Sequence, residues 1–212
     1  MFQAGASKLE LEVYFPGVGL LGYGRAFNVI EDKLTPLFVR CVYFSEVGNS
    51  DRFIFVNCEL AFTTDIIRVE VMKKLRAHNP DILPVDAQLM ITSQHTHSAP
   101  GGFSHHPFYN FTTPGFRPEV FAAVVNGIAD SIILAYEKQI PVQIKYGKGE
   151  FEAVIDVAFN RSIRAYNRNP EIEKKTSFDV HLALDRSMDL LRIDDLEGNP
   201  VCLLYTSPSP RD

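Results

Sequence analysis

The sequence has no concentration of positive charge, no long unbroken apolar run and few cysteines. Each shortage excludes a class of protein. Lysine and arginine together number 21 against 26 acidic residues, giving a formal net charge of -5. The basic residues are scattered, whereas a duplex-binding protein needs a basic face because phosphate neutralisation supplies most of its affinity. No apolar run approaches the roughly 20 residues that span a bilayer. Residues 1–11 carry Lys8 and Glu10 and no hydrophobic block, so they do not read as a signal peptide. Cys41, Cys58 and Cys202 lie far apart, form no Cys-x-x-Cys pair and are odd in number, which argues against a disulfide framework. Cys41 and Cys58 sit inside strand-like runs and read as small buried hydrophobes.

What is present is a globular composition, 46% hydrophobic and 22% charged over 212 residues. Residues 9–15 alternate apolar and polar with strand periodicity. Pro16, Gly17, Gly19, Gly22 and Gly24 then mark an irregular turn region. Residues 37–44 and 53–58 read as strands, the second buried on both faces. Thr64 is placed to cap a helix to Ala77 with Ile67, Val71 and Leu75 as its apolar stripe, ended by Asn79-Pro80. A short strand at 89–92 leads into the histidines. A second helix, apolar almost all round, begins near Pro118 and continues to about Lys138. Strands are expected at 142–146 and 151–157, with Gly147 and Gly149 turning the chain between them. Residues 160–177 read as loop, and 189–193 with 201–204 as a hairpin. The alternation of strands and helices, without repeats or a linker, predicts an α/β fold with a mixed β-sheet and packed helices in one domain.

The chemistry concentrates in Gln94-His95-Thr96-His97-Ser98-Ala99-Pro100-Gly101-Gly102-Phe103. His95 and His97 are two apart at a strand end, and in extended backbone such residues point to one side. Metal ligation and paired acid/base work both require that convergence. Gly101 and Gly102 allow a sharp turn and a close approach to an ion or substrate. His-x-His alone is a common pattern, and zinc needs three or four ligands. The other histidines are poor candidates. His105 and His106 are adjacent and point apart, His78 suits a helix end, and His181 reads as a core histidine.

His95-Thr96-His97-Ser98 followed by Pro100-Gly101-Gly102-Phe103 resembles the signature of the neutral/alkaline non-lysosomal ceramidases. So do Gly22-Tyr23-Gly24, the segment 52–75 with Val69-Glu70-Val71 and Lys74-Leu75, Asn160-Arg161-Ser162, and the hairpin 189–199, in matching order. The resemblance covers 16–204 and implies the N-terminal part, 1–204, of an incomplete catalytic domain. It implies zinc as cofactor and hydrolysis of the N-acyl linkage of ceramide or a related lipid to a fatty acid and a sphingoid base. It implies His95 as a zinc ligand, His97 beside the metal for proton transfer or substrate holding, and Arg161 on the substrate carbonyl. Gln94, Ala99 and Glu59 depart from the family's usual threonine, glycine and aspartate, which leaves another amide as an alternative substrate. The remaining ligands, a histidine, a glutamate and a tyrosine, are expected beyond Leu204, so the 212 residues alone are expected to be an inactive fragment. The family suggests a secreted, periplasmic or cell-surface setting. Residues 205–212 break the strand pattern with Pro208 and Pro210 and are expected to be a non-native tail.

Overall fold

The structure, a computed structural model, describes all residues except 26, 114, 207, 208, 211 and 212, and only the backbone of 87, 209 and 210. The chain forms two compact units, 1–142 and 143–212.

The first unit is built on a mixed sheet in which β4 (Leu89–Ser93), β3 (Arg52–Cys58), β2 (Phe38–Glu46) and β1 (Phe2–Glu10) lie in that order. β1, β2 and β3 pair antiparallel, and β3 pairs parallel with β4 through the crossover helix α1 (Asp65–His78). The α/β class is therefore as expected.

β1 starts seven residues earlier than the alternation at 9–15 suggested. Leu11 and Val13 do turn inward and Glu12 outward. Pairing nevertheless stops after Glu10, where Leu11 N–H still reaches Leu37 O at 2.8 Å but Val13 N–H turns back to Leu11 O. The run Ala4-Gly5-Ala6-Ser7 carries no strand signal because a second helix crosses it closely. A Cβ on Gly5 would lie 2.0 Å from Ala135 O.

That helix is α2 (Pro118–Glu137), opened by proline at its first position. It buries Val120, Val124, Ile128, Ile132 and Ala135 against the sheet and α1, and its Ser131 hydroxyl meets the Ser7 hydroxyl at 2.7 Å. α2 is the one described helix long and apolar enough to cross a membrane. Its apolar face is instead taken up by this core.

α1 buries Ile67, Val71, Met72 and Leu75. Thr64 occupies the N-cap in extended backbone, although its hydroxyl makes no cap hydrogen bond. Asn79 ends the helix, its side chain accepting Asp81 N–H to start the next turn. β3 buries Ile54, Val56 and Cys58, but Phe53 is 47% exposed, so the strand is not buried on both faces. Both helices cover one side of the sheet, and Phe53 stacks on Phe44 across the other at 6.1 Å.

β5 (Ile140–Glu150) leaves the first unit beside β1 and continues into the second. It runs straight through Gly147 and Gly149, neither of which has a positive φ. The turn expected there does not exist, nor does a strand at 151–157. That segment instead wraps Arg186, whose buried guanidinium donates to the carbonyls of Phe151, Glu152, Ile155 and His181. The second unit also holds α3 (Ile163–Tyr166), the pair β6 (Leu184–Asp185) and β9 (Ser209–Pro210), and the expected hairpin of β7 (Ser187–Asp195) and β8 (Pro200–Tyr205). Half of the expected foreign tail lies outside the described residues. Of the rest, Tyr205 closes β8, and 209–210 pair with Leu184–Asp185.

Candidate functional site

The parallel strands β3 and β4 end side by side, Cys58 opposite Ser93. Beyond those ends the two chains stay together, with Gln94 N–H on Cys58 O at 3.0 Å and Thr96 N–H on Leu60 O at 3.1 Å. Between these anchors His95 adopts φ 62°, the only described non-glycine residue with a positive φ. The left-handed region is disfavoured for side chains that bear a Cβ, so such a residue at a strand end is a place to look for function.

This turn brings His95 Nδ1 to 2.8 Å from Ala61 O. A carbonyl can only accept, so Nδ1 carries the hydrogen and the lone pair falls on Nε2. His97 Nε2 lies 3.2 Å from His95 Nε2. The two histidines thus converge as expected. They do so through the left-handed residue and not through strand parity, since β4 ends at Ser93. His95 is exposed and His97 half-buried, so the pair faces an open surface.

The glycine-rich segment supplies the floor. Leu21 N–H bonds Ala99 O at 3.2 Å, and Gly101 N–H bonds Gly19 O at 2.9 Å. Gly22, at φ 107°, lies so close to His97 that a Cβ would sit 2.5 Å from its Cδ2. Tyr23 meets the His97 ring edge-on, with centroids 5.4 Å apart. Gly101 and Gly102 also need their missing Cβ atoms, but against Thr113 and Arg117 of this chain. In this structure the close approach that these two glycines permit is to neighbouring protein atoms. Glu59, two residues before Ala61, accepts from Phe38 N–H at 2.8 Å and from the Arg40 guanidinium at 2.6 Å, holding the segment that carries the His95 acceptor. Neither the Ala61 carbonyl nor this clamp was visible in the sequence.

The pair offers nitrogen donors aimed at one point, with one tautomer set by a backbone carbonyl as metal-binding histidines usually are. Imidazoles that share a zinc bind it at about 2.0–2.1 Å, a reach compatible with this spacing. Among the described residues no group of three or more His, Cys, Asp or Glu side chains is placed to hold a metal. The two histidines therefore fit part of a zinc site.

The remaining histidines lie elsewhere. His105 packs on Phe116 and Phe121, and His106 lies 3.9 Å from Asp65. His78 is exposed in the last turn of α1. His181 is exposed in a 3-10 turn, not in a strand or core.

The family described as neutral/alkaline non-lysosomal ceramidase, N-terminal, matches residues 2–206. The chain belongs to this family. A neutral ceramidase of Pseudomonas aeruginosa is 30% identical over 201 residues, covering 93% of this chain and 28% of that protein. Neutral ceramidase 1 of Arabidopsis thaliana is 32% identical over 185 residues, covering 87% and 23%. The crystal structure of the Pseudomonas aeruginosa enzyme superposes with a TM-score of 0.85 at 27% identity, covering 96% of this chain and 31% of that one. The chain thus spans less than a third of the ceramidases it matches.

Arg161 belongs to the second unit of this ceramidase-family chain, and its neighbours fix its backbone. Asn160 is buried, donates to Ala183 O at 2.9 Å and accepts Ser162 N–H at 2.9 Å. The Ser162 hydroxyl accepts Ala165 N–H at 3.2 Å, capping α3. Arg161 itself is exposed. The structure brings His95 and His97 together within the first unit.

Proposed function

We propose that this chain contributes part of the active site of a zinc-dependent amide hydrolase that cleaves the N-acyl linkage of ceramide or a related N-acyl lipid, releasing a fatty acid and a sphingoid base. The observation that carries this reading is the Nε2–Nε2 approach of 3.2 Å with His95 Nδ1 committed to Ala61 O. Family membership with neutral ceramidases supports the substrate class.

His95 holds the metal through Nε2, oriented by Ala61. When bound, zinc supplies an acidified water and polarises the amide carbonyl. His97 Nε2 is placed to hold or move a proton beside that point. The Asn160-Arg161-Ser162 motif assigns Arg161 to the substrate carbonyl, where its fixed positive charge suits the oxyanion that develops on the amide oxygen.

Activity belongs to the longer protein. In that protein His95→Ala abolishes turnover of a ceramide, and chelation of the metal does the same. A loss of less than tenfold removes His95 from the metal's ligands. The 212-residue chain, with His95 as one ligand of a site that needs three or four, binds zinc weakly and turns over no amide. Calorimetric titration with zinc, run beside a ceramide cleavage assay, measures both. Tight equimolar zinc binding together with turnover refutes the partial-site reading.

A further inference from the structure

We propose that the loop following the histidine motif, residues 104–113, is a lipid-interface docking element that seats Phe108 and Phe111 in the acyl-chain boundary of a membrane.

The loop is built to present these two rings. Ser104, Asn110 and Thr113 are buried and pin it from within. The Asn110 side-chain amide donates to Ser104 O, and the Ser104 hydroxyl accepts His106 N–H at 3.1 Å. Thr113 packs where a Cβ on Gly101 would stand. On this pinned frame Phe108, inside the 3-10 turn Pro107–Asn110, is 84% exposed and Phe111, directly after it, 90%. Ordering large apolar rings toward water is unfavourable unless something else covers them.

The surroundings select a lipid surface as the cover. No acidic residue occurs between Asp86 and Glu119, in a chain that carries 26 of them, and Arg117 is the only formal charge in that stretch. The Asp65 carboxylate lies 3.9 Å from His106 Nε2. Phenylalanine at the tip with tyrosine and histidine behind it is the composition that partitions into the bilayer interface, where a ring is buried and a polar edge stays wet. The low charge removes the repulsion that an acidic loop would meet at an anionic leaflet.

The loop is also tied to the histidine pair. Tyr109 packs on Phe62 at 4.8 Å, and Phe62 packs on the fully buried Phe103 at 5.2 Å. Phe62 directly follows Ala61, the acceptor for His95. A membrane contact at Phe108 and Phe111 therefore lies on the framework that holds the histidines, which deepens the lipid-amide reading on which it rests.

The chain contains no tryptophan, so a Phe111→Trp variant has one source of indole emission. It is mixed, without metal, with phosphatidylcholine vesicles with and without phosphatidylglycerol. The expected result is a blue shift on vesicle addition and quenching by lipids brominated in their acyl chains. Phe178→Trp, at a position 89% exposed in the second unit, stays water-like. The double variant F108S/F111S loses vesicle co-sedimentation at least tenfold with an unchanged circular dichroism spectrum. Three results overturn the proposal: no shift at Phe111→Trp, an equal shift at Phe178→Trp, or emission already blue-shifted before vesicles are added. The last means that protein, such as a second copy of the chain, covers the loop. Neither zinc nor turnover enters the measurement, so its failure is distinct from failure of the amidase reading.

Discussion

At the residue scale, Gly22 and Gly24 form a matched pair. Both have positive φ, 107° and 66°, but a Cβ on Gly22 strikes the His97 ring whereas one on Gly24 meets nothing within 4 Å. Gly24→Ala is expected to cost only the left-handed backbone, about 1 kcal/mol. Gly22→Ala adds steric displacement of His97, for a total of about 2–4 kcal/mol. It also separates the two imidazoles. Thermal unfolding measures the first effect. Nitrogen chemical shifts of the imidazoles, which report the His95–His97 contact, measure the second. Equal behaviour of the two variants contradicts the packing argument. His95 and His97 were legible in the sequence because imidazoles two apart before a glycine pair carry a pattern. The Ala61 carbonyl that sets the tautomer was not, because a backbone acceptor leaves no mark on residue identity.

At the element scale, legibility followed side-chain volume. β2, β4, α1, α2 and the β7–β8 hairpin are rich in branched or periodic apolar residues and lie close to where they were expected, whereas the short α3 falls in 160–177, which read as loop. β1 was misplaced because α2 crosses it so tightly that only small residues fit. Gly5→Ala is therefore expected to cost about 3 kcal/mol or more, since the clash is with backbone that cannot rotate away. A denaturant titration checks this. β5 was cut short because its glycines resemble turn residues. In the hairpin, the Arg192 guanidinium and then Lys145 hold the Asp194 carboxyl below its ordinary range. A depressed folded pKa stabilises above the unfolded value and loses that contribution as pH falls through the folded one. The hairpin should thus weaken below about pH 4, and Asp194→Asn should flatten that acid dependence in circular dichroism or exchange measurements.

At the scale of the whole molecule, the division into two units escaped notice because the boundary falls inside the continuous strand β5, with no change in composition to mark it. The cysteines report each unit separately. Cys41 and Cys58 are buried in the first unit, and burial pushes the Cys58 thiol up to about 12. Cys202 is only half-buried in the second, where burial also raises its thiol. Thiolate is the reactive form, so Cys202 should label first at pH 8. Cys41 and Cys58 should label only when the first unit opens. Mass spectrometry of thiol labelling across a denaturant series tests this, and simultaneous labelling of all three would mean that the units unfold as one.

Because His95 is held at φ 62°, its backbone and its ring make opposite demands on natural selection. Under the proposed function the ring is wanted for chemistry, while the conformation favours glycine by roughly 1 kcal/mol. Activity and robustness should therefore trade off at a single codon. His95→Gly should melt higher than His95→Ala although both lack the imidazole. Ancestral or laboratory-evolved lineages released from catalysis should drift toward glycine or asparagine here before any other position in the motif.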